Sequence, residues 1–286
     1  MNISLIICTK DRCDNLPELF ESLKNMKTDL LWELIIVDNG STDETQVFLH
    51  KMQKNINFLM RIVFEPNPGL GRARNAGVKT AIGDIIVFTD DDCYPAPNFL
   101  NSVYECFQKH DIDYLGGRIL LYDKKDYPIT IQESMEHRRF PSYIFFAPGF
   151  IQGANFSFRK TVFKKTLFNP LLGAGTPFAS EDIEFIAAIS FKGCTGAYDP
   201  KPVVFHHHKR RKGASINKLM RQYDYGRGAY FASMIIESKP ARKIFIKNWY
   251  WRVLKQDKRR TIREIFGFFH YFFKRLTCHF YSVVSG

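Results

Sequence analysis

IIVFTDDDCYP, residues 85–95, joins a run of apolar and β-branched residues directly to three consecutive aspartates. Such a run reads as a strand buried on both faces, and strands of that kind belong to parallel sheets covered by helices. Asp90, Asp91 and Asp92 repel one another at its end, so a cation or bulk water has to answer their charge. In open α/β sheets ligands gather at the carboxyl ends of the strands, which is where this triplet falls.

The same pattern runs through the first 110 residues. ISLIIC (3–8), ELIIVD (33–38) and RIVFE (61–65) are three further apolar strands. DNLPELFESLKNM (14–26) puts Leu16, Leu19, Phe20 and Leu23 on one helical face, and helices are predicted over about 43–54 and 97–109. Strands alternating with amphipathic helices mean βαβ units. The strand ends carry Thr9–Lys10–Asp11, Asp38–Asn39–Gly40–Ser41 and the aspartate triplet, three polar clusters at equivalent positions. Beyond residue 114 the pattern loosens. DYLGGRILLY, GFIQGANFSFRK and PVVFHHH read as strands, SEDIEFIAAISFKG (180–193) as a helix with Ser180 as N-cap, and the chain from Ser215 as mostly helical. No repeat or low-complexity linker divides it. The expected organisation is an α/β domain over 1–212 and a helical extension over 213–286.

Each polar cluster has a plain structural explanation beside the chemical one. Carboxylate-only oxygen sites suit Mg²⁺ or Mn²⁺, and Asp90 and Asp92 share one side if the strand continues, so the triplet reads as a metal site and not as a solvated turn. In NPGLGRARNAG (67–77), Arg74 stands where a dinucleotide-binding G-x-G-x-x-G needs its third glycine. Arg72, Arg74 and Asn75 at a helix start are unfavourable to the helix dipole, which argues for an anionic ligand there. Glu181 and Asp182 are good helix-start residues in their own right. The glycine-rich stretches before them add the alternative of a base that takes a proton from an incoming hydroxyl. His206 and His208 share a face of an extended segment; either completes a metal shell or marks a polar strand exit.

The motifs, in order, are SLIICTKDR, LIIVDNGSTDET, GLGRARNAG, FTDDDCYP, GANFSFRK, SEDIEF and VVFHHH, spanning about residues 3–208. This series resembles inverting glycosyltransferases of family 2 with the GT-A fold, a mostly parallel sheet flanked by helices. The resemblance implies a nucleotide-sugar donor, with a UDP-sugar favoured, and Mn²⁺ or Mg²⁺. Carried over, Thr9, Asp11, Asp38, Arg74, Asn75, Asp90 and Asp91 would line the donor site. Asp92 and Asp90, with His206 or His208, would hold the metal. Asp182 would be the general base with Glu181 beside it, and Gly153 and Asn155 would lie on the acceptor side. The class implied is a hexosyl- or N-acetylhexosaminyltransferase of polysaccharide biosynthesis acting on a glycan or polyprenyl-linked acceptor. A nucleotidyltransferase shares a similar sheet, but its early GGxGxR loop is absent. An inactive binding relative is disfavoured because the carboxylates are all present.

Charge divides the chain. Through His208 there are 22 Lys and Arg against 25 Asp and Glu; from Lys209 onward there are 19 against 4. The six cysteines form no zinc spacing, which fits a reducing compartment. No signal peptide or membrane-spanning run is expected, since IFGFFHYFF (265–273) is too short to cross a bilayer. The basic and aromatic extension reads as lying on an anionic membrane surface, placing the protein peripherally on the cytoplasmic face. A helix packed on the domain with a solvated basic face is the alternative. No nucleic-acid module is recognisable.

Overall fold

The computed structural model describes residues 1–147 and 149–284, the side chains of 278–284 excepted. Strands β1 (Ile3–Thr9), β2 (Trp32–Asp38), β3 (Leu59–Phe64) and β4 (Ile85–Asp90) lie parallel in the order β3-β2-β1-β4. Alternation along each strand builds two cores at once. Ile3, Leu5, Ile7, Leu34 and Ile36 face one side of the sheet. They pack there on Leu16, Leu19, Phe20 and Leu23 of α1 (Leu16–Lys24). Ile6, Ile35 and Val37 face the other side, against Ala73 and Val78 of α3 (Leu70–Thr80). The helix between them, α2 (Thr45–Asn55), covers β3. This is why the strands read as continuous apolar runs.

Beyond β4 the sheet is mixed. The short β5 (Cys93–Pro95) and the helix α4 (Phe99–Lys109) lead into β6 (Tyr114–Leu121). β7 (Arg138–Phe140) and β8 (Phe156–Arg159) follow, then α5 (Glu181–Ser190) and β9 (Gly196–His206). β8 runs antiparallel between β4 and β6, β9 is parallel to β6, and β5 and β7 both pair antiparallel with β9. The fold class expected from the sequence holds, with a parallel nucleotide half joined to a mixed half. In register, Thr9 lies opposite Asp38 and Cys8 opposite Asp90, so the polar clusters do end at one edge.

The remaining helices are α6 (Ala214–Glu237), α7 (Lys239–Lys255) and α8 (Lys258–Val284). Tyr230, Phe231 and Met234 of α6 pack with Phe245 of α7 on Ile183, Ala187 and Phe191 of α5. Phe178 is buried with Ala229, Ala232 and Tyr271. α6 and α8 cross closely: a Cβ at Gly228 would strike the Glu264 carbonyl, and one at Gly267 the Tyr225 carbonyl. Four arginines fix the crossing. Arg227, Arg260 and Arg263 meet Asp224, while Arg227 and Arg252 meet Glu264. Four of the extension's 15 Lys and Arg are thus turned toward buried acids. Among the described residues no helix is long and apolar enough to cross a membrane.

Candidate active site

The strand at Ile85–Asp90 stops at its first aspartate, and Asp91 and Asp92 form a turn before β5. The alternation expected to put Asp90 and Asp92 on one side therefore does not operate, and the three carboxylates take three different partners. Asp90 faces Arg74 at 3.5 Å. Asp91 is buried, accepts the Thr9 hydroxyl at 2.7 Å and lies 3.8 Å from Arg12. Asp92 lies 3.4 Å from His206 Nε2, because β5 places Cys93 opposite His206.

These partners set different acidities. Burial pushes Asp91 up to about 7, and the neighbouring Asp92 adds to the rise. Asp90 is raised for the same first reason, with Arg74 opposing. For Asp92, burial is outweighed by the hydrogen bond and charge of His206, helped by Arg12 and Arg210, so its carboxyl is held low.

Asp92, Cys93 and His206 bring potential ligand atoms within 4.8 Å of one another. Burial raises the Cys93 thiol well above its ordinary value, which leaves the carboxylate and the imidazole as the donors. His206 Nδ1 is buried without a partner. One carboxylate and one imidazole fit a divalent ion that takes its other ligands from substrate and water oxygens. His208 does not belong to this group. Its Nε2 meets the Tyr127 carbonyl at 2.8 Å and its Nδ1 accepts the Arg210 N–H at 2.9 Å. Asp90 is also outside it, turned to Arg74.

Arg74 is the hub of the site. Its guanidinium is almost wholly buried, lies over the rings of Phe88 and Phe168, and sits 3.2 Å from Glu181 as well as 3.5 Å from Asp90. Asp90 and Glu181 supply counter-charge to this arginine, while its Nη1 is buried without a hydrogen-bond partner. A Cβ at Gly153 would collide with this guanidinium, so the glycine is required by close approach. The Gly153 N–H instead donates to Asp182 Oδ2 at 2.8 Å.

The two carboxylates that open α5 are therefore unequal. Glu181 is buried against Arg74, and burial lifts its carboxyl to about 7 against the opposing charge of Arg74. Asp182 is partly exposed and oriented by the Gly153 amide, with Oδ1 accepting the Ile183 N–H. Ser180 sits at the N-cap position but adopts φ +90° with no side-chain cap, so the expected serine cap is absent.

Other assignments change with the geometry. Asn75 uses its side chain on both backbone groups of Phe168, at 2.8 and 2.9 Å, which ties the start of α3 to that segment. Asn155 donates to the Arg118 and Pro202 carbonyls from a buried position, which ties it to β6 and β9. Asp11, at φ +51°, accepts the Thr42 N–H and shapes the loop. Thr9 gives its hydroxyl to Asp91. Asp38 is different: Oδ1 accepts the Ser41 N–H, while Oδ2 is buried without a partner at the sheet edge. An orphaned buried carboxylate oxygen there fits a missing hydroxyl or N–H donor from a ligand.

Reading the sequence missed Arg12, Arg210 and Tyr223. Arg12 was within reach of inference, being next to the Thr9–Asp11 cluster. Arg210 and Tyr223 lie beyond the motifs. Arg210 bears on Asp92 and His206. Tyr223 of α6 lies 3.4 Å from the Thr130 hydroxyl, and its pKa, raised first by burial, also registers the charges of Asp182 and Asp90. Only the fold brings this helix to the site.

Residues 4–167 match glycosyl transferase family 2, and the chain belongs to that family. An uncharacterized glycosyltransferase, alr2836, from Nostoc sp. is 33% identical over 127 residues, covering 44% of this chain and 39% of that protein. The chain thus spans well under half the length of that relative. Among solved structures, the mannosyltransferase PcManGT from Pyrobaculum calidifontis, in complex with GDP-Man and Mn²⁺, superposes with TM-score 0.64 at 17% identity, over 93% of this chain and 73% of that one. S. aureus TarS 1–349 in complex with UDP-GlcNAc gives TM-score 0.60 at 17% identity, over 93% and 80%. At that identity the likeness shows the GT-A fold.

Proposed function

We propose that the region 1–212 is a metal-dependent inverting glycosyltransferase. It moves a hexose or N-acetylhexosamine from a nucleotide-diphosphate sugar, UDP-linked by preference, to a hydroxyl of a glycan or polyprenyl-linked acceptor. The observation that carries this reading is the Arg74 bridge. One guanidinium joins Asp90 of the carboxylate turn to Glu181 at the start of α5, so the acid-rich turn and Asp182 lie side by side. The TarS and PcManGT structures, solved with UDP-GlcNAc and with GDP-Man and Mn²⁺, support a nucleotide-sugar donor and a metal.

Each residue then has a task. Asp38, through its free Oδ2, holds the nucleoside. Asp92 and His206 would hold Mn²⁺ or Mg²⁺, which supplies charge neutralisation for the leaving diphosphate. Asp182, kept in place by the Gly153 N–H, takes the proton from the acceptor hydroxyl as it attacks the anomeric carbon. The bond to the diphosphate breaks on the opposite face, so the configuration inverts. Glu181 balances Arg74 and keeps the cleft floor fixed. A panel of UDP-, GDP- and dTDP-sugars with Mn²⁺ tests the reading by product formation and the anomeric configuration of the product. Retention, or turnover unaffected by chelation, would overturn it.

The extension 213–286 holds this enzyme on an anionic membrane, on the cytoplasmic face. Ile246, Tyr250 and Leu254 of α7 are exposed at i, i+4 and i+8, away from the buried Ala241 and Phe245. On α8, Ile262, Phe266, Phe269, Phe273 and Leu276 are exposed opposite the buried Glu264 and Tyr271. Lys243, Lys247, Lys255, Lys258 and Arg259 lie exposed beside these stripes. Aromatic and basic side chains on an outward helix face match the interface of an anionic bilayer. Deleting residues 240–286 would strip Phe245 and Tyr271 from the core, so the probe is Phe266→Ser with Phe269→Ser and Phe273→Ser. Loss of salt-sensitive co-sedimentation with anionic vesicles is expected; undiminished binding, or preference for nucleic acid, would overturn the membrane assignment.

A further inference from the structure

A second cluster of metal-ligating side chains lies apart from the cleft. His110 follows the last turn of α4, His137 immediately precedes β7, and Asp199 sits within β9. The sequence separates them by 27 and 62 positions, yet one ligand atom from each falls within 4.8 Å of the others. The two imidazole rings have centroids 5.0 Å apart and are inclined by 37°. Asp199 is buried, and one of its oxygens is fixed by the Lys201 N–H at 2.9 Å. His137 is exposed and His110 half-buried, so a hydrated ion has a route in.

We propose that His110, His137 and Asp199 form a binding site for a late first-row divalent cation, Zn²⁺ foremost. It is distinct from the Asp92–His206 pair of the cleft. Two imidazoles and one carboxylate are a donor set that selects Zn²⁺, Co²⁺ or Ni²⁺ over Mg²⁺ and Ca²⁺, which take oxygen ligands. Three protein ligands leave a fourth position for water on the side of exposed His137. The backbone clamp on Asp199 supplies the outer-shell support that orients a ligating carboxylate. Lys109 and Arg139 lie near enough to His110 to weaken the site's attraction for a metal, so the two imidazoles and the Asp199 charge must outweigh them.

The consequence is mechanical. β7 has three residues, all paired to β9, and Arg138 and Arg139 are exposed. An ion held by His137 and Asp199 staples the entrance of β7 to β9, and His110 ties both to α4. The chain leaving β7 runs on to Gly153, whose N–H orients Asp182. The staple therefore fixes the far end of the segment that carries the base's positioning amide.

The test is a titration of the full chain with ZnCl₂, followed by calorimetry and thermal shift, and with CoCl₂, followed by its visible absorption. Wild type, His137→Ala and Asp199→Asn are compared, with His206→Ala reporting on the cleft. Expected are one Zn²⁺ retained in His206→Ala and a loss of affinity of at least about tenfold in His137→Ala, the loss typical of removing even an outer-shell partner. Co²⁺ should give an absorption band that disappears in both His137→Ala and Asp199→Asn. MgCl₂ should not compete. Absence of a stoichiometric Zn²⁺ in His206→Ala would overturn the proposal. So would Zn²⁺ and Co²⁺ binding unchanged by both His137→Ala and Asp199→Asn. His137 is exposed and outside the cleft, so loss of folding does not confound the result.

Discussion

The turn at Asp90–Asp92 and the start of α5 both carry adjacent carboxylates, and the fold treats them differently. The turn spreads its three over Arg74, Thr9 and His206, so each has its own acidity. The helix start buries Glu181 against Arg74 and leaves Asp182 partly open. In both clusters the role follows from the neighbour and not from the residue type. One acid in each faces Arg74, and on the proposed function another is left for a ligand.

The sharpest way to break this comparison is to neutralise the open acid in each cluster. Asp182→Asn is expected to lower kcat by about 10²–10⁴-fold while the donor Kd stays nearly constant, since only the proton acceptor is lost. Joint loss of turnover and donor binding would sink the assignment of Asp182 as base. Asp92→Ala should show the reverse pattern. Donor binding should lose its enhancement by Mn²⁺, an effect on the order of 10–100-fold. Metal-dependent binding that persists would exclude Asp92 as a ligand.

The counterion acids predict a stability effect. Arg74→Met leaves Glu181 and Asp90 facing each other without the guanidinium, and breaking a buried pair this way costs about 3–5 kcal/mol. Adding Glu181→Gln removes one of the stranded charges, so the double variant should recover part of that loss. A double variant less stable than Arg74→Met in denaturant titrations would show that Arg74 matters for packing on Phe88 and Phe168 and not for charge.

How far each half was legible follows from how local its causes are. β1 to β4 are specified by apolar runs, and their register alone aligns Asp38 with Thr9 and Asp90 with Cys8. That edge was readable because period and position suffice. The choice between His206 and His208 was not. It rests on β5 pairing with β9, a long-range register that no local pattern encodes. The structural tie of Asn75 is equally long-range. Its amide clamps Phe168, 93 positions away. Ser180 looked like a helix cap, yet Asp182 is held from outside the helix by Gly153. The extension was legible as mostly helical, basic and aromatic, but not the turn of four of its arginines toward Asp224 and Glu264.

Smallest in effect is a pH dependence that separates the cleft from the helical layer behind it. Glu184, one turn beyond Glu181, lies in the α5–α6 interface and accepts the Ser233 hydroxyl at 2.8 Å. Burial lifts its carboxyl to about 7 from an ordinary 4.5, against the lowering effect of that hydrogen bond. Between those two values the folded chain binds the proton and the unfolded chain does not. Glu184 therefore favours the fold most at the acid end of the window, and that advantage is lost as pH rises through 7. Glu184→Gln fixes the neutral form. It should raise stability at pH 8 by about 1–3 kcal/mol over wild type and change it little near pH 5. Asp91 and Glu181 are raised too and contribute a slope of the same sign, so a residual pH dependence is expected in the variant. Equal pH slopes in the two proteins would mean that Glu184 stays charged at the interface, and the raised acids Asp90, Asp91 and Glu181 would then account for the slope.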